Sequence, residues 1–221
     1  MDFIVFWHNI SNLLTSVPST GTLFNQYRDC NPEVDLPGAA AIRLANLRSY
    51  TEQACRRGSI LVVGEAAGPW GARFSGVPFT GERQLLDPSF PLRGERSSVP
   101  VPLKEIRLSP PFISNSARAF WGVLSPHHHH FVAWDAVPFH THKPGDPFSV
   151  RNPHRREVLE YAEPLRLIAA FIEPIHIVAI GRHAFTALAS LGYAPTYVRH
   201  PSQGGKSAFV AGIREIFGSA L

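Results

Sequence analysis

Residues 59–68 read SILVVGEAAG, an apolar run that ends in a glycine, a carboxylate and a second glycine. An uninterrupted run of Ile, Leu and Val is typical of a parallel strand that is buried on both faces. Ligands of open α/β sheets bind beyond the carboxyl ends of such strands, so we expect a site at residues 64–68. The glycines at 64, 68 and 71 do not have the G-x-G-x-x-G spacing of a dinucleotide-binding turn.

The rest of the chain alternates between apolar runs and segments of helical periodicity. Further strands are predicted at 131–135, 175–180 and 196–199, and helices at 39–57, 114–124, 154–172, 181–191 and 206–217. The proline-rich segment 82–111 is predicted to be irregular. This alternation favours an α/β fold of three layers, αβα, around a central four-stranded parallel sheet. We expect residues 1–221 to form a single domain, with residues 1–38 as a peripheral N-terminal segment.

The composition is that of a mildly basic globular protein. The chain has 21 Lys and Arg against 17 Asp and Glu, which suits a phosphate-backbone partner and equally an ordinary basic enzyme. Cys30 and Cys55 are too few for a four-thiolate metal or iron–sulfur site; they are expected as reduced thiols, with a disulfide as the open alternative. Because no secretory signal or bilayer-spanning run is evident, we expect a cytoplasmic protein without a membrane partner. We also expect a monomer, and no sequence pattern bears on this expectation.

Three of the predicted strands end on polar side chains, namely Glu65, Asp135 and His200. If these strands are parallel and adjacent, the three groups meet at one edge of the sheet. A carboxylate and an imidazole in one cleft suit the cleavage of a bond that leaves an anion and a cation-like carbon. The carboxylate stabilises the cation or activates a water, and the imidazole donates a hydrogen bond to the departing anion.

Three motifs, in this order along the chain, resemble those of the uracil-DNA glycosylase superfamily. They are GEAAG with GVPFTG (64–68 and 76–81), WDAVP (134–138) and HPS (200–202), and the likeness spans about residues 59–215. The nearest pattern is that of the thermophile-type branch, which carries an iron–sulfur cluster. Since two cysteines cannot hold that cluster, the chain resembles a divergent branch, and we expect neither a metal nor an organic cofactor.

The resemblance implies a DNA repair activity: excision of uracil, or of other deaminated bases, from single- or double-stranded DNA to leave an abasic site. This activity implies a location at the bacterial nucleoid. The implied catalytic residues are Glu65 and His200, the latter hydrogen-bonded to uracil O2. The implied uracil-binding residues are Gly64, Ala66, Gly68, Phe79 and Asp135, of which Phe79 stacks on the extruded base. The implied DNA-binding residues are Arg199, Ser202, Gln203 and Lys206.

Two residues depart from the family pattern. Asp135 stands where most relatives have an asparagine; an ionised carboxylate accepts from uracil N3–H but offers no donor to O4, whereas a protonated one does both. Ala66 stands where the best-known branch has its catalytic aspartate, which leaves Glu65 as the preferred water-activating group and Asp135 as its competitor. These departures keep open a protein that binds uracil or abasic DNA with weak turnover. A further alternative is a metal-dependent hydrolase that uses histidines between His127 and His142.

Overall fold

The computed structural model describes residues 1–100 and 109–220, so part of the segment predicted to be irregular lies outside the described residues. The helices, in chain order, are α1 (Phe3–Ser16), α2 (Ala39–Ala54), α3 (Ala72–Ser75), α4 (Glu82–Leu85), α5 (Asn115–Leu124), α6 (Arg155–Glu160), α7 (Glu163–Ile172), α8 (Arg182–Ser190) and α9 (Lys206–Ala220). The strands are β1 (Leu23–Phe24), β2 (Ile60–Ala66), β3 (Phe131–Val137), β4 (His140–Thr141), β5 (His176–Ile180) and β6 (Thr196–Val198).

The central sheet, as far as the described residues show, is parallel and has four strands in the order β3–β2–β5–β6. In chain order, β3 pairs with one edge of β2, and the chain then crosses over so that β5 pairs with the other edge of β2 and β6 pairs with β5. The strand order therefore switches beside β2, which opens a crevice at the carboxyl ends of the strands. Helices flank the sheet, and the predicted three-layer α/β fold is confirmed.

The sheet is buried because its strands are almost continuously apolar. β3 is buried along its whole length, and the first five residues of β2 are buried as well. Helix α5 packs on α9, while α1 packs on both α7 and α2. β2 extends to Ala66, three residues beyond the predicted strand, so Gly64, Glu65 and Ala66 are held by the sheet rather than by a free loop.

Local sequence signals set several helix boundaries as expected. Ser114 begins α5, because its side-chain oxygen accepts a hydrogen bond from the Ala117 N–H at 3.0 Å. Pro164 lies in the first turn of α7, where a missing N–H is tolerated, and it separates this helix from α6.

The N-terminal segment contributes to the core as well as to the periphery. Phe6, Ile10 and Leu14 of α1 are fully buried, and the Phe6 ring stacks on Phe171 of α7 at 4.1 Å. The spacing of these three residues places them on one face of the helix. Residues 1–38, expected at the periphery, thus supply one wall of the hydrophobic core.

Neither cysteine forms a disulfide: Cys30 is exposed and Cys55 is buried, and both are free thiols. Burial raises the pKa of the Cys55 thiol to about 12, so this group stays protonated and unreactive at neutral pH. Among residues 1–100 and 109–220, no helix has the length and apolar character needed to cross a bilayer.

Candidate active site

A single cleft of about 850 Å³ lies at the carboxyl ends of the parallel strands. Its lining includes ten of the residues predicted from the sequence: Gly64, Glu65, Ala66, Gly68, Phe79, Asp135, Arg199, His200, Ser202 and Gln203. Lys206 lies in a neighbouring groove, which it shares with Ser202 and Gln203. The structure therefore brings together residues that are far apart in sequence, and only Lys206 lies to one side.

Phe79 presents an aromatic ring to the cleft from a strained backbone position. Its φ angle is 54°, in the left-handed region that non-glycine residues rarely occupy. The ring stacks on the buried Phe120 ring, with 4.3 Å between centroids and an interplanar angle of 13°. Thr80 holds the loop, because its hydroxyl donates to the Pro78 carbonyl and accepts from the Trp121 indole. A non-glycine residue kept at positive φ by its surroundings is typical of functional sites.

Asp135 is an almost completely buried carboxyl group at the end of β3. It is only 5% exposed. Burial, together with the smaller effect of the nearby Glu65 carboxylate, raises the pKa of Asp135 to about 7. At neutral pH a large share of the molecules therefore carry a protonated Asp135, which is both a donor and an acceptor.

Glu65 is a second carboxylate in the cleft, at the end of β2. Its Oε1 atom is buried and has no hydrogen-bond partner among the described residues. Burial raises the pKa of this carboxyl, while His183, whose Nδ1 lies 3.9 Å from Oε1, opposes the rise. A partly desolvated carboxylate with a free oxygen is suited to accept a proton from a water.

His200 is positioned by a turn that fixes its tautomer. The backbone N–H of Ser202 donates to His200 Nδ1 at 3.2 Å, and the Ser202 hydroxyl lies 2.7 Å from the same nitrogen. Nδ1 is thus an acceptor, and the neutral ring carries its proton on Nε2. Burial lowers the pKa of His200, and the Arg199 guanidinium lowers it further. The ring therefore offers a neutral Nε2–H donor at pH 7.

Close backbone approaches hold His200 in place. Gly181 has a φ of 93°, and a Cβ at this position would lie 3.1 Å from His200 Cβ. A Cβ on Gly205 would lie 2.1 Å from the His200 carbonyl oxygen. Any side chain at residue 205 would therefore collide with the backbone, which explains the glycine before α9.

Buried ionic groups support the wall of the cleft. The Asp35 carboxylate bridges Arg43 and Arg73, at 2.5 Å and 3.0 Å, and all three side chains are buried. Glu82 is fully buried and accepts from the N–H groups of Ser97, Ser98 and Phe112 and from the Ser98 hydroxyl. These bonds connect α3 and α4 to segments distant in sequence and so fix the loop that carries Phe79.

The histidines between 127 and 142 make ring contacts in separate pairs and do not form one cluster among the described residues. The His127 ring lies against Phe217, and the His128 ring lies against His129. His140 is buried between the carbonyls of Ala67 (2.9 Å from Nδ1) and Pro147 (3.1 Å from Nε2), and burial lowers its pKa to about 4. In the described part of the chain, no three His, Cys, Asp or Glu side chains are grouped so as to hold a metal ion. The arrangement of these histidines gives the metal-dependent alternative no support.

Several cleft residues were missed by the sequence analysis. They are Trp70, Phe148, Asn152, Arg182, His183 and Tyr197. His183 comes three residues after the end of β5. Glu65 and Asp135 were identified because they are polar side chains at strand ends, and the same reasoning would have identified His183. Asn152 lies in an irregular segment, and no sequence pattern marks it.

The sequence matches no family model and no curated protein. In its structure the chain is similar to the crystal structure of wild-type SMUG2 from Pedobacter heparinus. The TM-score is 0.58, the sequence identity is 13%, and the match covers 97% of each chain. At this identity the likeness shows a shared fold and assigns the chain to no family.

Proposed function

We propose that this protein is a DNA glycosylase that hydrolyses the N-glycosidic bond of uracil, or of a related deaminated base, to leave an abasic site. The observation that carries the proposal is the convergence of Glu65, Phe79, Asp135 and His200 on one cleft at the strand-order switch. The similarity in fold to SMUG2 supports the same class of activity.

The target base enters the cleft after rotation out of the DNA stack. Phe79 supplies a flat apolar surface, backed by Phe120, on which the base stacks. A protonated Asp135 accepts from uracil N3–H with its carbonyl oxygen and donates to O4 with its hydroxyl. This pairing reproduces what an asparagine does, so recognition depends on the protonation state of a single buried carboxyl.

Bond cleavage separates charge between the base and the sugar. As the bond between C1′ and the base nitrogen breaks, its electron pair moves to the base, and His200 Nε2–H stabilises the resulting anion at O2. The Glu65 carboxylate stabilises the cationic sugar and takes a proton from the attacking water. The imidazole is neutral at pH 7, because burial lowers its pKa, and Glu65 Oε1 has no hydrogen-bond partner among the described residues.

A monofunctional reaction is favoured by the absence of an amine nucleophile. Among the described residues that line the cleft there is no lysine. Lys206 lies in the neighbouring groove, where it suits a phosphate contact. Arg199 lines the cleft and is exposed, which also suits a phosphate contact.

The test is a glycosylase assay on oligonucleotides that carry one uracil, hypoxanthine or xanthine, followed by alkaline cleavage, with EDTA in excess. We expect cleavage at the uracil in wild type, and a rate lower by about 10²- to 10⁴-fold in Glu65→Gln and in His200→Ala. Absence of cleavage of all three substrates, or unchanged rates in both variants, would refute the proposal.

A binding protein with weak turnover is the second candidate, favoured by Ala66 and Asp135 at the two positions that depart from the family pattern. A time course with substrate in excess separates the two candidates. Continued product formation supports an enzyme, whereas a single burst equal to the enzyme concentration supports a binding protein that retains the abasic product.

A further inference from the structure

We propose that His183, held by Asn152, is a positioning residue that places the attacking water against Glu65. The inference rests on the proposed glycosylase function, and it assigns roles to two residues that the family resemblance does not include. Glu65, His183 and Asn152 all line the cleft, although Asn152 and His183 are 31 residues apart.

The hydrogen bond between Asn152 and His183 sets the tautomer of the imidazole. Asn152 Nδ2 lies 2.9 Å from His183 Nε2, and an amide nitrogen is only a donor. His183 Nε2 is therefore the acceptor, and the neutral ring carries its proton on Nδ1. This is the nitrogen that faces Glu65.

The separation between His183 and Glu65 suits a bridging water rather than a direct bond. The distance from Nδ1 to Oε1 is 3.9 Å, which is too long for a hydrogen bond. A water oxygen about 2.8 Å from both Nδ1 and Oε1 would bridge the two atoms at this separation. Oε1 is also buried and lacks a hydrogen-bond partner among the described residues, so a rotation of the exposed His183 side chain admits the water that satisfies it.

A water held there is ready for the hydrolytic step. It accepts a hydrogen bond from His183 Nδ1–H and donates one to Glu65, which leaves a lone pair for C1′. In the reaction the water oxygen bonds to C1′, and the bond from C1′ to the base breaks with its electron pair on the base. The water proton passes to the Glu65 carboxylate, and the base anion takes a proton from solvent.

Other charged groups share the cleft with this pair. Asp135 lies at the end of the adjacent strand, and Arg182, Arg199 and His200 line the same wall. His183 lies 3.9 Å from Glu65, and its side chain is 60% exposed, so a substitution there removes little packing. A loss of activity in a His183 variant therefore reports on the water and not on the fold.

The kinetic test compares three substitutions under substrate saturation and in single turnover. His183→Ala is expected to lower kcat by about 10- to 100-fold with KM within about twofold. His183→Asn, whose amide nitrogen takes the approximate place of Nδ1, is expected to recover most of that loss. The matched control is His8→Ala, since His8 on α1 also has an asparagine partner (Asn12 Nδ2, 3.1 Å) and does not line the cleft. Equal rates in His183→Ala and His8→Ala overturn the inference.

A measurement without substrate separates this inference from the proposed function. Nitrogen NMR of the imidazole is expected to show the Nδ1–H tautomer of His183 in wild type and a shift toward Nε2–H in Asn152→Ala. An Nε2–H tautomer in wild type, or an unchanged tautomer in Asn152→Ala, overturns the assignment even if no base is excised. Excision by wild type with no effect of His183→Ala leaves the glycosylase proposal intact and refutes only the role of His183.

Discussion

Gly64 and Asp135 lie side by side on the parallel strands β2 and β3, and their proximity determines the shape of the cleft. A Cβ on Gly64 would lie 2.5 Å from Asp135 Oδ1 and 2.6 Å from Phe79 Cζ. The absence of a side chain at residue 64 therefore allows the buried carboxyl and the aromatic ring to approach each other. One glycine therefore lets the two side chains that are proposed to contact the base share the end of β2.

Gly64→Ala is expected to abolish excision, with a decrease of at least about 100-fold in kcat/KM, because the methyl group displaces both the base-pairing and the stacking residue. Gly122→Ala on α5 is the control, since a Cβ there meets no atom within 4 Å and Gly122 does not line the cleft. Excision rates of the two variants, with circular dichroism to verify folding, test the prediction. Equal activity of both variants would contradict it.

The activity on uracil is expected to fall as the pH rises through about 7. The pKa of Asp135 is raised to about 7, so below this pH the carboxyl is protonated and donates to uracil O4, whereas above it the ionised group repels O4. The measurement is kcat/KM against pH, which reports the free enzyme. In Asp135→Asn the alkaline decrease should disappear; a decrease that persists at the same pH would assign it to another group.

The same carboxyl is expected to link the folding stability to pH. Its pKa is about 7 in the folded protein against about 3.9 in an unfolded chain, so between these values the folded state binds more protons. The free energy of unfolding therefore falls as the pH rises through that window, by about 2–4 kcal/mol from this group. The free energies of unfolding of wild type and Asp135→Asn are measured in urea at pH 4.5 and pH 8. From pH 4.5 to pH 8 the stability of wild type relative to the variant should fall by that amount. A pH-independent difference would contradict the prediction.

Ser202→Ala is expected to have a smaller effect than His200→Ala. The serine hydroxyl is lost, but the backbone N–H of residue 202 still donates to His200 Nδ1 and maintains the tautomer. We expect a decrease of less than about 10-fold for Ser202→Ala and of at least about 100-fold for His200→Ala. Single-turnover rates on a uracil oligonucleotide test this order, and the reverse order would show that the hydroxyl itself contacts the substrate.

Glu82→Gln is expected to destabilise the fold by about 2–4 kcal/mol, because an amide nitrogen replaces a carboxylate oxygen among donors that are buried. The Glu82 carboxylate accepts from four donors on Ser97, Ser98 and Phe112. The control is Glu33→Gln, an exposed site expected to change the stability by less than about 0.5 kcal/mol. Denaturant midpoints of the two variants provide the comparison; similar midpoints would mean that Glu82 is not critical.

Elements with a strong local pattern were predictable from the sequence. The apolar runs gave the four parallel strands, and Ser114 and Pro164 marked helix starts where the structure has them. Helix α1 was missed although Phe6, Ile10 and Leu14 have helical spacing, because nearby prolines and aromatics obscured the period. Glu82 was assigned to an irregular surface segment, since burial of a carboxylate depends on donors that only the folded chain supplies.

The sequence by itself determined which side chains end the strands, because strand periodicity and glycine placement are local properties. It thereby named Glu65, Asp135 and His200 and a cleft in which they meet. Only the tertiary structure decided the protonation of Asp135, the tautomer of His200, the backbone strain at Phe79 and the pairing of His183 with Glu65 and Asn152. These properties depend on burial and on distances between segments far apart in the chain, and desolvation and hydrogen-bond geometry exist only once those segments have packed.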